Sequence, residues 1–156
     1  TDAHTDFKPW PWADTHPVGR LISNDHDVDL IVLNGVSGHT MAFGPGHQPN
    51  TARVGSDGHV VLAAHRDTHF RFLKDVMIGD ELWLQDRNRE KIRYEVRAMK
   101  VVDQSETEHL DQALKNTLTL VTCYPFDSLM TGGPGRYLVQ LTRTVHHESE
   151  ASETGP

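Results

Sequence analysis

The single cysteine of this 156-residue chain, Cys123, closes the apolar run Thr117-Leu118-Thr119-Leu120-Val121-Thr122, and Tyr124-Pro125-Phe126 stops the run at once. Upstream, Val60-Val61-Leu62-Ala63-Ala64 ends in the same manner on His65. Downstream, Arg136 opens a third run, Tyr137-Leu138-Val139-Gln140-Leu141. A thiol, an imidazole and a guanidinium thus stand at the ends of three candidate strands, where one sheet or barrel can bring them together. A free thiol has a pKa of about 8.5, so only a few per cent is thiolate near neutrality, and a neighbouring imidazole or guanidinium raises that fraction. The imidazole can protonate a leaving amine and later deprotonate an incoming one. The guanidinium offers fixed donors to substrate carbonyls or to a developing oxyanion. Together these groups suit nucleophilic acyl transfer, whereas a buried, inert cysteine is the competing reading of a lone thiol.

Strand alternation tests whether the three side chains can meet. In 117–123, Leu118 and Leu120 share one face while Thr119, Val121 and Cys123 share the other. In 136–141, Tyr137, Val139 and Leu141 share a face, which turns Arg136 the opposite way. His65 aligns with Val61 and Ala63, both smaller than Leu62 on the other side. If the leucines face the core, all three groups lie on a groove outside it. The argument is weakest at His65, because both faces of its strand are apolar. Asp67, two residues on, is an orienting carboxylate or, more simply, a turn residue. Thr122, immediately before Cys123, fits plain β-propensity.

The rest of the chain reads as short strands separated by turns. Residues 29–33 form a buried strand closed by Asn34-Gly35, and 38–41 is expected to pair with it. The glycine- and proline-rich stretch 43–50 reads as a loop, and Asp57-Gly58 as the turn before strand 60–65. One helical turn is expected in 70–76, ended by Gly79-Asp80, and a helix at 108–115. Strands at 81–85, 91–102, 117–122 and 136–145 complete an all-β barrel or sandwich. No internal repeat or interdomain linker is visible.

Thr119-Leu120-Val121-Thr122-Cys123 resembles the TLxTC signature of sortases, cysteine transpeptidases that join surface proteins to an amine acceptor. Ala64-His65-Arg66-Asp67-Thr68 resembles the segment around the sortase histidine, and Gly133-Pro134-Gly135-Arg136-Tyr137-Leu138-Val139 the approach to the sortase arginine. The order, His then Cys then Arg, agrees, and the resemblance runs over about residues 17–144. It implies a closed β-barrel of about eight strands with one or two short helices. It also implies Cys123 as nucleophile, His65 as general acid and base, and Arg136 as stabiliser of substrate and oxyanion. Thr122 is implied to help bind substrate or complete the oxyanion site. The expected reaction is cleavage of an LPxTG-type sorting signal after threonine, through a thioacyl enzyme, with transfer to an amine or to water. The expected partners are the sorting-signal peptide of a surface protein and an amine of a peptidoglycan stem or another protein. The Cys and His segments resemble class D or the related Gram-negative sortases, and Pro9-Trp10-Pro11-Trp12-Ala13-Asp14 resembles the opening segment of the Gram-negative ones. In the loop 126–135, Leu129 and Met130 stand where an apolar substrate residue could touch them, although an ordinary connecting loop fits equally.

Composition excludes several classes. The formal net charge is −7, with no basic block or aromatic-basic interleaving, so no nucleic-acid partner is expected. No stretch reaches the roughly 18 to 20 apolar residues of a membrane span. The chain opens without methionine or a secretory core, as a processed product or a segment of a longer protein would. By the resemblance, an N-terminal membrane anchor would lie outside this chain and tether it at a cell surface or in a periplasm. Residues 1–16 are expected as an extension, 17–145 as the catalytic domain and 146–156 as a flexible tail.

Other motifs fall short. His65-Arg66-Asp67 copies a kinase tripeptide without the asparagine or glycine-rich loop that should accompany it. His65 and His69 have zincin spacing, but Arg66 stands where the glutamate base should be. Asp103, Glu106 and Glu108 are a thin basis for calcium, so no metal and no cofactor are expected. The alternatives are an L,D-transpeptidase-like cell-wall enzyme, whose Ser-His-Gly-Cys-type motif is absent here, and a non-catalytic extracytoplasmic β-domain.

Overall fold

The computed structural model describes residues 15–103, 108–123 and 135–144, and the side chain of Cys123 is not among what it describes. Eight strands close into a barrel: β1 (Pro17–Ser23), β2 (Val28–Asn34), β3 (Gly46–His47), β4 (His59–His65), β5 (Glu81–Gln85), β6 (Lys91–Asp103), β7 (Thr117–Cys123) and β8 (Gly135–Arg143). Their order around the barrel is β1-β2-β3-β4-β7-β8-β6-β5, which returns to β1 through an antiparallel pairing with β5. The expected all-β, eight-stranded closed barrel is therefore present. The closure at β3 is short, two residues pairing with β2 and with β4.

The interior is filled by the leucine face of the strands. Val60, Leu62, Leu118, Leu120, Val139 and Leu141 are buried there with Leu21, Val32, Leu82 and Leu84. Beyond β4 the chain folds over one end of the barrel, and Phe70 and Leu73 of a 3-10 turn (Arg71–Asp75) join the same core. That turn falls inside the predicted 70–76 segment.

Three expectations are corrected. Gly38–Met41 is a helix, α1, rather than a strand, because the Ser37 side chain accepts from Thr40 N and caps it. The stretch 43–50 is not all loop, since it holds the two-residue strand β3. Gly46 permits β3, because a Cβ there would lie 1.9 Å from the Gly35 carbonyl oxygen. The helix expected at 108–115 is only a 3-10 turn, Glu108–Leu110. Asp111 ends it: its side chain accepts from Ala113 N at 2.9 Å, a local turn that competes with helix. The Asp111 carbonyl meanwhile accepts from the fully buried His59 Nδ1 at 2.8 Å. With Nδ1 donating, His59 Nε2 accepts from the Thr119 hydroxyl at 2.7 Å.

Tyr94 tests the packing of the barrel. It is fully buried, and its hydroxyl has no hydrogen-bond partner among the described residues. Burial pushes its pKa up to about 12, while the charge of Arg143 pulls the other way. An unpaired buried hydroxyl costs about 1–3 kcal/mol. Tyr94→Phe should therefore keep the ring contacts and raise the urea midpoint, gaining about 1 kcal/mol. A loss of stability in that variant would reveal a partner for the hydroxyl.

Candidate active site

The site is built by pairing at one end of the barrel. Strands β4 and β7 run parallel in unbroken register from His59 opposite Thr117 to His65 opposite Cys123. Strand β8 lies antiparallel on the other side of β7, with Val121 opposite Leu138. Beyond that pair, Thr122 Oγ1 accepts from Tyr137 N at 3.1 Å, carrying the same register one step further. His65 and Cys123 thus end two paired strands side by side, and Arg136 lies at the start of β8, the next strand, at the same end of the barrel.

The outer face of these strands is apolar as well. Val61, Ala63, Val121 and Leu138 are buried in a second, smaller apolar cluster with Met41 of α1, and Leu110 packs against it. This cluster explains why β4 looks apolar on both faces: one lines the barrel and the other is covered from outside. His65 continues the outer set of β4. A cleft of about 290 Å³ opens on this side between Leu138, Thr119, Gln140 and the segment from Glu108 to Leu114.

His65 is half-buried, and its Nδ1 is buried without a hydrogen-bond partner among the described residues. Asp67 is exposed and does not supply one, so it occupies the turn after β4 rather than orienting the ring. That turn is closed by the His65 carbonyl, which accepts from Thr68 N at 3.3 Å and Phe70 N at 3.2 Å. His69 is the neighbour that motif reading had set aside. Burial lowers its pKa and the charge of His65 lowers it further. Both effects disfavour a charge on His69.

Thr122 is buried, and its hydroxyl is committed to the backbone of Tyr137. Thr122→Val keeps the shape and removes the acceptor, leaving a buried N–H unpaired at a cost of about 1–3 kcal/mol. Thr122→Ser should retain most of the stability in chemical denaturation, and equal losses in both variants would contradict this role. Leu129 and Met130 lie outside the described residues, as do the Pro9–Asp14 segment behind the Gram-negative likeness and the Glu106 side chain.

A closed barrel with a histidine, a cysteine and an arginine at adjoining strand ends defines the class. A sequence profile of the sortase domain matches residues 23–144, most of the chain. Sortase D of Bacillus subtilis (strain 168) is 33% identical over 120 residues, covering 76% of this chain and 60% of that protein. Among solved structures, sortase C1 from Streptococcus suis superposes with a TM-score of 0.71 at 30% identity, over 86% of this chain and 76% of that one. Sortase A from Corynebacterium diphtheriae gives a TM-score of 0.74 at 25% identity, over 90% of this chain and 66% of that one. The chain belongs to the sortase family. The class D likeness agrees with these relatives, and neither alternative reading gains support from them.

Proposed function

We propose that this chain is the catalytic domain of a cysteine transpeptidase that acts on an LPxTG-type sorting signal. The observation that carries the reading is the in-register pairing of His65 with Cys123, beside the strand whose second residue is Arg136. In this mechanism the Cys123 thiolate attacks the threonine carbonyl and forms a tetrahedral intermediate. The Arg136 guanidinium donates to the oxyanion or to the adjoining substrate carbonyl. His65 protonates the departing amine, leaving a thioacyl enzyme. An incoming amine then loses its proton to His65 as it displaces the thiolate, and water completes hydrolysis when no amine is present.

The acyl donor would lie on the outer face, along the cleft beside Thr119 and Leu138, with Leu129 and Met130 as further contacts. Thr122 would serve substrate indirectly, by fixing the start of β8. The acceptor would be an amine of a peptidoglycan stem or of another protein. Residues 17–145 would form the catalytic unit, between the extension 1–16 and the tail 146–156. The enzyme would work outside the cytoplasm, tethered to the membrane. Among the described residues no helix is long and apolar enough to cross a membrane.

The reading is tested by incubating the protein with LPxTG-type peptides, with and without a nucleophilic amine, and separating the products. Cleavage after threonine and amine-dependent ligation are expected. Arg136→Ala should lower turnover by about 10²–10³-fold, the usual loss of an oxyanion donor. An Arg136→Ala enzyme of undiminished turnover would remove arginine from the mechanism.

A further inference from the structure

His59 opens β4, at the other end of that strand from His65, and it is fully buried. Its position belongs to the outer set of Val61 and Ala63, where an apolar side chain would complete the packing with no polar atom to satisfy. The imidazole instead uses both nitrogens. Nδ1 lies 2.8 Å from the Asp111 carbonyl oxygen, which can only accept, so Nδ1 carries the proton. Nε2 then offers a lone pair, and the Thr119 hydroxyl donates to it at 2.7 Å. A single neutral tautomer satisfies both bonds, which fixes the ring in one orientation.

The two partners of His59 share a place. Asp111 and Thr119 both line the outer cleft of about 290 Å³, Asp111 from the segment that walls it and Thr119 from β7. The segment is laid down from its first turn onward: Leu110 rests on the outer apolar cluster, and the Asp111 carbonyl follows on His59. Further on, Asn116 N donates to the Asp57 carbonyl at 2.7 Å. Residues 112–115 between these points are exposed. The side-chain hydrogen bonds of Asp111 and Gln112 stay within the segment, to Ala113 N and the Leu110 carbonyl. The buried ring thus bridges the two walls of the cleft from beneath.

We propose that His59 is a positioning residue of the acyl-donor cleft: by bridging Thr119 and the Asp111 carbonyl, it sets how far the segment 108–114 stands from β7 and so how well the cleft holds the donor peptide. The proposal rests on the acyl-transfer reading above. It adds to that reading a side chain roughly 20 Å along β4 from His65, too buried to touch the donor itself. Thr119 lies four residues before Cys123, roughly 13 Å along β7. A short extended peptide whose scissile carbonyl meets the thiol spans that distance. A wall displaced by an ångström weakens the hold on such a peptide and leaves the reacting groups as they are. Donor binding and acylation should therefore suffer. The amine half-reaction should not, because its acyl segment is already held by the thioester bond.

Two substitutions separate the two bonds. In His59→Asn the amide nitrogen takes the place of Nδ1 and can donate to Asp111, whereas in His59→Gln the amide oxygen takes the place of Nε2 and can accept from Thr119. Acylation by an LPxTG-type peptide and ligation of the acyl enzyme to glycylglycine are followed separately. His59→Gln should lower kcat/KM for the donor by about tenfold, mainly through KM, and leave kcat/KM for the amine as in wild type. His59→Asn should stay within about threefold of wild type for both, although its smaller side chain leaves the larger void and lowers stability more. A histidine that serves stability alone gives the opposite order, with losses that follow the unfolding midpoint and fall equally on both substrates. That order, or a donor kcat/KM unchanged in His59→Gln, overturns the assignment. Should His59→Gln not fold, hydrogen exchange on Cys123→Ala tests the wall itself: the donor peptide should slow exchange at the amides of 111–114, and no slowing overturns the assignment as well. Failure of the wild type to acylate at all overturns the acyl-transfer reading, and this assignment falls with it.

Discussion

Cys123→Ala should fold and should be inert. Substitution at the last residue of β7 leaves the barrel's interior leucines in place, so unfolding midpoints should move little. Turnover should fall by at least about 10⁴-fold, because no other group can form the acyl intermediate. Cys123→Ser should rescue little, since a hydroxyl is far less ionised than a thiol near neutrality and is a weaker nucleophile. Peptide cleavage followed by chromatography is the measurement. Residual cleavage within about tenfold of wild type would show that a different nucleophile, or water, carries the reaction.

His65→Gln should produce the second largest loss, about 10²–10⁴-fold in turnover. Glutamine keeps polarity and approximate size but cannot gain or lose a proton in the working range. Both half-reactions need that proton, first given to the leaving amine and then taken from the incoming one. Acylation and ligation should therefore slow together, and the limb of the pH–rate profile belonging to the imidazole should vanish. Among the described residues the Nδ1 of His65 has no hydrogen-bond partner. A variant that loses only ligation, with acylation at the wild-type rate, would restrict His65 to the second step.

The positions of the three groups were legible because each ends a recognisable run, and the alternation in 117–123 and 136–141 correctly separated the leucine face from the other. What joins them was less legible. The parallel pairing of β4 with β7 brings together residues 58 positions apart, as His65 and Cys123 are, and no local pattern encodes such a register. Strand β1 drew no expectation, because its start on Pro17 and its glycine hide a half-buried alternation. Helix α1 was misread since four residues carry too little periodicity, although the Ser37 cap was there to be seen. The long apolar stretch of β4 was ambiguous for a physical reason: α1 and Leu110 cover the outer face that alternation would otherwise have shown as polar.

Thr122 illustrates the difference between a motif and its mechanism. The TLxTC likeness marks it as part of the site, and the structure gives its hydroxyl a backbone task, holding Tyr137 and with it the start of β8. The same residue lines a cavity at the barrel mouth. Tyr137, which that hydroxyl holds, immediately follows Arg136 in the chain.

The central claim is covalent, and mass spectrometry addresses it directly. Wild-type protein and Cys123→Ala are mixed with an LPxTG-type peptide, quenched in acid, and digested for peptide mapping. The account predicts an acyl adduct on the wild-type peptide containing Cys123, equal in mass to the donor segment through threonine and discharged by added amine. No adduct across a varied peptide set, or an equal adduct on Cys123→Ala, would contradict it.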